Sequence, residues 1–289
     1  MPMMVVDEFA AGEPADGLRP FVAGYSGYRQ AGVAPAEHAG LPSPFLTLIF
    51  TLDDPLVIAG HPDPAQPGGS YATLVGGLHA APALVTHAGR QSGIQVALSP
   101  LGARPLLGLP AGELASLDVE GADVLGPLAA QIQERLRDCP TWSERFAALN
   151  ELLLARAYGE PGEPAGVSPE VAHAWRRLLR SGGQASVARL AAETGRSDRH
   201  LRAQFREEIG LAPKVAARVV RFDRARRLLV RRLRAGRPAG LADLAASTGY
   251  YDQAHLDRDF AALAGAAPTA WLAREFRNVQ AGADLLLEG

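Results

Sequence analysis

The sequence predicts an α+β protein. Its N-terminal part should form a β-rich, barrel- or sandwich-like domain with a helical hairpin. Its C-terminal part should form an all-α domain in which a long helix joins two helix-turn-helix units. Three observations support this prediction. Short apolar runs separated by Gly, Pro and Asp fill residues 18–120, two segments with helical periodicity follow at 127–157, and the string LAAETG at Leu190 returns as LAASTG at Leu244.

The apolar runs in residues 18–120 are typical of strands. They are PFLTLIF (44–50), PLVIAG (55–60), YATLVGGL (71–78) and GIQVALSP (93–100). Each run is short and bounded by residues that favour turns, which is the pattern of a small barrel or of two packed sheets. The pattern does not determine the order of the strands.

Two helices are predicted in residues 127–157. Apolar residues recur with helical spacing on both sides of Pro140, and Thr141 with Glu144 has the spacing of a capping box. The two helices would share an apolar stripe, which consists of Leu128, Ile132, Phe146, Leu149 and Leu153. This stripe could form a homodimer contact or close the core of the N-terminal domain.

A linker is predicted between the two parts. Residues 158–170 are rich in Pro and Gly and lie between two helical patterns. Ser168 followed by Pro169 is a typical start of the next helix. We therefore expect an N-terminal domain at 1–158, a linker at 159–168 and a C-terminal domain at 169–289.

Charge is divided unequally between the two parts. Residues 1–167 hold 8 arginines against 18 Asp and Glu, a net charge of −10. Residues 168–289 hold 20 arginines and one lysine against 13 Asp and Glu, a net charge of +8. A basic segment of this kind favours a polyanionic partner.

Each copy of the repeated string has the pattern of a helix-turn-helix. A short helix ends at Gly195 or at Gly249, because glycine adopts the positive φ that closes a helix. The helix that follows buries one apolar stripe, consisting of Leu201, Phe205 and Ile209 in the first copy and of Leu256, Phe260 and Leu263 in the second. In such units the second helix presents its N-terminal side chains to the major groove of DNA.

The segment KVAARVVRFDRARRLLVRRL (214–233) connects the two copies and has a single apolar stripe. About 20 helical residues span about 30 Å, close to the ~34 Å of one turn of DNA. A helix of this length would hold two units near adjacent major-groove segments. Double-stranded DNA is therefore the predicted partner, although paired helices with a glycine turn also occur as ordinary packing motifs.

Residues 184–277 resemble the DNA-binding domain of AraC-type transcription regulators. The resemblance rests on AASTGYYDQAHLDRDFAALAGAAPTAW (245–271), and on RFDRARRLL (221–229), which is similar to the family's linking helix. It implies base contacts by Arg199, Arg202, Ala203, Gln253, Ala254, Asp257 and Arg258, with His255 nearer to the DNA backbone. Arg206 shares the face of the first three and is expected either to contact phosphate or to remain solvated.

Members of this family usually carry a sensor or dimerisation domain before the DNA-binding domain. The resemblance therefore implies that a small-molecule effector or a partner acts on the N-terminal domain. It also implies a homodimer, and RNA polymerase as a partner where such a protein is an activator. The function predicted from the sequence is that of a sequence-specific transcription regulator.

Other classes of protein are disfavoured by the sequence. No catalytic motif was found, so we expect no enzyme activity and no cofactor. His38, His61, His79 and His87 lack the spacing of metal ligands, and Cys139 is the single cysteine. No apolar run approaches the roughly 20 residues that span a bilayer, so a cytoplasmic protein without membrane contact is expected. Two alternatives remain: an enzyme tethered to DNA, and an architectural DNA-binding protein without sequence preference.

Overall fold

The computed structural model describes residues 5–159 and 166–281, with side chains described up to residue 275. The N-terminal part is rich in strands, as the apolar runs predicted. The strands in this part are β1 (Val6–Gly12), β2 (Val22–Ala31), β3 (Ala36–Gly40), β4 (Leu46–Thr51), β5 (Leu56–Gly60), β6 (Gly69–Tyr71), β7 (Thr73–Gly76), β8 (Ala83–His87), β9 (Arg90–Leu98) and β10 (Asp118–Glu120). The four predicted runs coincide with β4, β5, β7 and β9.

The strands form two antiparallel sheets. The larger sheet has the order β1-β2-β9-β4-β7-β10 and the smaller one the order β3-β8-β5-β6. Central neighbours such as β2 and β9 are far apart in the sequence, and they pair from Val22 opposite Leu98 to Ala31 opposite Arg90. Residues of both sheets line a cavity of about 270 Å³.

Short helices and the predicted hairpin complete the N-terminal part. The helices are α1 (Ala103–Leu107), α2 (Gly121–Leu125), α3 (Pro127–Asp138) and α4 (Trp142–Tyr158). The capping box at the start of α4 is confirmed. Thr141 Oγ1 accepts from the Glu144 N–H at 3.3 Å, and Glu144 Oε2 accepts from the Thr141 N–H at 3.1 Å.

The apolar stripe of the hairpin is packed inside its own chain. Ile132 and Leu149 are fully buried, and Leu153 is 2% exposed. Phe146 stacks on Tyr25 of β2 with ring centroids 5.9 Å apart. The stripe therefore closes the N-terminal core. Of the two alternatives for the stripe, closure of the core is the one that this burial supports, with Leu128 only half-buried.

The C-terminal part is helical. Its helices are α5 (Pro169–Arg180), α6 (Val187–Thr194), α7 (Asp198–Ile209), α8 (Pro213–Arg234), α9 (Leu241–Thr248), α10 (Gln253–Ala264) and α11 (Pro268–Ala281). Ser168 caps α5, and residues 160–165 of the predicted linker lie outside the described residues. None of the described helices is long and apolar enough to cross a membrane.

Two helix-turn-helix units, α6–α7 and α9–α10, are joined by α8, as the repeat predicted. Each unit buries a phenylalanine against a tryptophan from a flanking helix. Phe205 of α7 lies 6.1 Å from Trp175 of α5, and Phe260 of α10 lies 5.9 Å from Trp271 of α11, measured between ring centroids. The core of these units is continuous with that of the N-terminal part.

The N-terminal part contacts the C-terminal end of α7. Arg104 of α1 makes two hydrogen bonds of 2.9 Å to the carboxylate of Glu208. The turn at 111–114 approaches so closely that a Cβ added to Gly112 would lie 2.0 Å from the Glu207 carbonyl oxygen. The position of the first helix-turn-helix unit is thus linked to the N-terminal domain by backbone contact as well as by charge.

Substitution Gly112→Ala tests this contact. The added methyl group would overlap a backbone carbonyl that belongs to a packed helix, so the two parts would have to move apart. We expect the free energy of unfolding to fall by about 1–3 kcal/mol, as for other overpacked sites. Equilibrium denaturation in urea, followed by circular dichroism, measures the change.

The matched control is Gly60→Ala. A Cβ added there would meet its nearest neighbour, the Cβ of Leu84, at 3.6 Å, which is ordinary contact. This variant should be close to wild type in stability. Equal stability of the two variants would show that the turn at 111–114 is not pressed against α7.

Candidate functional site

The first candidate DNA-reading surface lies on α7. Gly195 closes α6 with a φ of 65°, and Ser197 caps α7 by accepting from the His200 N–H at 3.3 Å. These local signals orient α7 so that its buried face meets Trp175. The four side chains that the sequence analysis assigned to DNA contact are all exposed: Arg199, Arg202, Ala203 and Arg206.

The charges on this surface are available to an anion. Arg202 lies 3.6 Å from Asp198, and both side chains are largely exposed. Exposed pairs of this kind contribute little to stability, so exchanging the carboxylate for a phosphate would cost little. Three arginines on one face give α7 the character of a surface for guanine edges and phosphates.

The second candidate surface lies on α10 and is built in the same way. Gly249 closes α9 with a φ of 84°, and Asp252 caps α10 by accepting from the His255 N–H at 2.7 Å. Gln253, Ala254 and Arg258 are exposed, as the resemblance implied.

His255 and Asp257 are less accessible than the other predicted contacts. His255 is half-buried, with its ring 5.0 Å from that of Tyr250 in an edge-on arrangement. Asp257 is also half-buried, and one of its carboxylate oxygens is buried without a hydrogen-bond partner among the described residues.

Tyr251 was not singled out by the sequence analysis. It precedes the cap of α10, and it is 93% exposed. The turn from Gly249 to Asp252 is one residue longer than the turn from Gly195 to Ser197, and this difference in the sequence is the signal that could have identified it. An exposed aromatic ring beside the N-terminus of α10 enlarges the surface that this unit can present to DNA.

The cavity between the sheets is a second candidate site. His38, His79 and His87 line it together with apolar side chains of both sheets. Burial and the neighbouring His87 lower the pKa of His38 to about 4, and burial lowers the pKa of His79 and of His87. Within the described residues, no group of three or more His, Cys, Asp or Glu side chains is arranged to hold a metal ion.

Beside the cavity lies a buried polar cluster. His61 Nδ1 is 2.7 Å from a carboxylate oxygen of Asp118, and His61 Nε2 is 3.1 Å from the hydroxyl of Tyr71. Gln66 Nε2 donates to the Asp118 carbonyl oxygen. These side chains satisfy one another, so the cluster fixes the 61–71 segment against β10.

Three residues of the C-terminal domain also line the cavity: Arg226, Trp271 and Glu275. Glu275 Oε1 accepts from the Ala39 N–H of β3 at 3.5 Å. This set could not be identified from the sequence, because nothing in the pattern of α8 or α11 indicates which face meets the N-terminal domain. The clustering of four histidines within residues 38–87 was the one available signal for a cavity.

Comparisons with known proteins agree with this architecture. Residues 190–274 match a helix-turn-helix domain family, and residues 12–120 match a domain of unknown function, DUF6597. Comparison with curated protein sequences gives no match.

Two solved structures of ToxT from Vibrio cholerae are similar in fold. The first, a P21 crystal form, has 11% sequence identity and a TM-score of 0.50, and the similarity covers 86% of this chain and 97% of that one. The second, from strain O395 and bound to (E)-4-(8-methylnaphthalen-1-yl)but-3-enoic acid, has 10% identity and a TM-score of 0.50, covering 92% and 98%.

The motif and the fold lead to the same assignment. Both helix-turn-helix units lie within or at the edge of the matched residues, and the order of a β-rich part followed by a helical part gives a fold similar to that of ToxT. This chain therefore carries an AraC-type helix-turn-helix domain at residues 190–274.

Proposed function

We propose that the protein is a sequence-specific transcription regulator that reads two adjacent major-groove segments of double-stranded DNA. The observation that carries this proposal is the placement of two capped helices, α7 and α10, on either side of α8. This helix has 22 residues and a length of about 33 Å, close to the ~34 Å of one DNA turn. Both reading helices are supported by buried aromatic pairs, so they can act as rigid units.

The contacts with DNA are assigned to the exposed faces of these helices. They comprise Arg199, Arg202, Ala203 and Arg206 of α7, and Gln253, Ala254, His255, Asp257 and Arg258 of α10. The first unit, with three arginines, supplies more of the affinity. The second unit is more selective for its orientation on the DNA, because Gln253 pairs well with adenine and Asp257 can pair with few groups of the bases.

The cavity is proposed as the site of a small-molecule effector. Its volume of about 270 Å³ is just below the range of about 300–1,000 Å³ that is typical of pockets for small molecules. One of the ToxT structures that are similar in fold is bound to an organic acid. Because residues of both domains line the cavity here, an occupant would bias how the domains dock.

The rest of the proposal concerns assembly and location. We propose an N-terminal domain at 1–158, a linker at 159–168 and a C-terminal domain at 169–289. We also propose a homodimer whose contact does not involve the apolar stripe of α3 and α4. RNA polymerase is the expected partner for activation, and the cytoplasm is where such a protein meets DNA. Enzyme activity is not part of the proposal, since the His61 cluster is buried and satisfied by its own members.

Selective DNA binding is the first test. Full-length protein should enrich a defined site from a random duplex library and bind it about a thousandfold or more tightly than bulk DNA. The logarithm of affinity should fall linearly with the logarithm of salt concentration, because phosphate contacts release counterions. Fluorescence anisotropy with the selected site and with scrambled competitor measures both quantities.

Two outcomes contradict the proposal. Binding that depends on salt but shows no preference among sequences would indicate an architectural protein. Absence of any salt-dependent binding to duplex DNA would exclude both a sequence-specific regulator and an architectural DNA-binding protein.

Single substitutions test the residue assignments. Arg202→Ala should cost about 1–3 kcal/mol of binding free energy, with the loss concentrated at one base pair. Gln253→Ala should relax the preference at another base pair, about one DNA turn away. Anisotropy on a set of operators with single-base changes locates each effect.

Arg29→Ala is the control for charge alone, since Arg29 is an exposed arginine of β2 in the other domain. It should leave the base preferences unchanged. Uniform weakening by Arg202→Ala and Gln253→Ala across all operators would mean that these side chains touch only the DNA backbone.

A further inference from the structure

Arg218 of α8 and Asp259 of α10 form an ion pair that ties the second reading helix to the long helix. Arg218 Nε donates to Asp259 Oδ1 at 2.6 Å, and the side chain of Asp259 is only 8% exposed. A carboxylate removed from water to this degree is costly unless a partner compensates its charge, and Arg218 is that partner. Breaking the pair would leave a buried charge without its counter-ion, so the pair holds the two helices together at one point.

The pair lies on the buried face of α10. Asp259 comes three positions after Leu256 and directly before Phe260, so it shares the stripe that this helix packs inward. One turn along α8 from Arg218, Phe222 meets Phe260 with ring centroids 4.9 Å apart. Apolar burial is not directional, so this contact attracts α10 without fixing its rotation. A hydrogen bond between charged groups has a preferred geometry, and the ion pair therefore supplies the direction.

A second arginine of α8 holds the turn that precedes α10. Arg221 Nη1 donates to the Gly249 carbonyl oxygen at 3.3 Å, and its guanidinium carbon lies 5.2 Å from the ring centroid of Tyr250. Tyr250 is 4% exposed, so its ring is fixed in the core of the unit. The long helix thus contacts both the turn before α10 and the middle of α10, and two contacts along one helix define its direction as well as its rotation.

The first reading unit is held in a different way. Gln204, directly before Phe205 of α7, corresponds to Asp259, directly before Phe260 of α10. Gln204 is uncharged, and its Oε1 is buried without a hydrogen-bond partner among the described residues. The end of α7 is tied to the N-terminal domain instead, through Glu208. The ion pair with α8 is therefore a property of the second unit and not of the repeated motif.

The orientation of α10 decides which groups its exposed side chains can reach. Gln253 and Arg258 are exposed on this helix. A bidentate contact with a base edge requires two hydrogen bonds of good geometry at once. Recognition sites of this kind tolerate errors of only about 0.5 Å and 10–20°. A modest rotation of α10 on α8 would therefore weaken base recognition while leaving the fold intact.

We propose that Arg218 and Asp259 are positioning residues for base recognition by the second unit. Their ion pair, with Arg221 on the turn before α10, fixes the rotation of this helix on α8. It thereby controls the base preference in the second DNA segment without touching the bases. The inference rests on the proposed function, in which α10 reads one of two segments, and adds residues that act from α8 and from the buried face of α10.

The double variant Arg218→Met/Asp259→Leu tests the proposal. It removes both charges and keeps the volume, and apolar replacement of a buried ion pair commonly preserves stability. The preference at the base pair that depends on Gln253 should fall about 3–10-fold, whereas the preference at the base pair that depends on Arg202 should stay within about twofold. Anisotropy on operators with single-base changes measures both, and circular dichroism confirms the fold.

The matched control is Gln204→Leu, which makes the same kind of change at the corresponding position of α7, where no ion pair exists. It should leave the preference in the second segment unchanged. Unchanged preference in the double variant, or equal loss in both segments, overturns the proposal. Should the double variant fail to fold, Asp259→Asn keeps the volume and removes one charge, and it should relax the same base preference; an unchanged preference overturns the proposal.

Arg218 is 37% exposed, so direct contact with a phosphate is the alternative to a positioning role. Salt dependence on bulk duplex DNA separates the two roles. A positioning residue leaves the slope of log affinity against log salt concentration unchanged in Arg218→Met, whereas loss of a phosphate contact reduces it by about one. A reduced slope would overturn the proposal.

A measurement without DNA distinguishes this inference from the proposed function. Spin labels at Lys214→Cys in α8 and Ala262→Cys in α10, both exposed positions, report the distance between the helices by pulsed electron resonance, with the buried Cys139 replaced by alanine. The distance distribution should broaden or shift in the double variant. An unchanged distribution overturns the positioning role. A changed distribution in a protein whose wild type shows no base preference contradicts the proposed function and supports the positioning of α10 by the ion pair.

Discussion

Burial of one face of α8 sets the distance between the two helix-turn-helix units. Both units pack on this helix, and Phe222 in its middle meets Phe260 of the second unit with ring centroids 4.9 Å apart. A helix is stiff over this length, so the separation of α7 and α10 follows from the number of residues in α8.

The same helix brings the C-terminal domain to the cavity. Asp223 pairs with both Arg226 and Arg227 in a largely buried cluster. Arg226 lines the cavity, and the guanidinium carbon of Arg227 lies 5.8 Å from the ring centroid of Phe45 in the N-terminal domain. Buried charges of this kind are costly unless each is paired, and here the pairing lies within α8, on the face that this helix presents to the N-terminal domain.

The two domains are thus joined at two places that differ in chemistry. At the first unit the contact is tight backbone packing and the Arg104–Glu208 pair, which leaves little freedom. At the second unit the contact surrounds a cavity through Trp271. An occupant of that cavity would act on the docking of the second unit, while the first remains held by its own contacts.

The local features of the DNA-binding domain could be derived from the sequence, because glycine closures, caps and helical periodicity depend on residues within a few positions of one another. The repeat around Gly195 and Gly249 and the length of α8 followed in this way. The partner of the stripe containing Phe146 did not follow, since periodicity shows that a face is apolar but not what covers it. The cavity was likewise decided by the tertiary structure alone. His38, His87 and Trp271 meet there through contacts between distant segments, and no short-range pattern encodes such contacts.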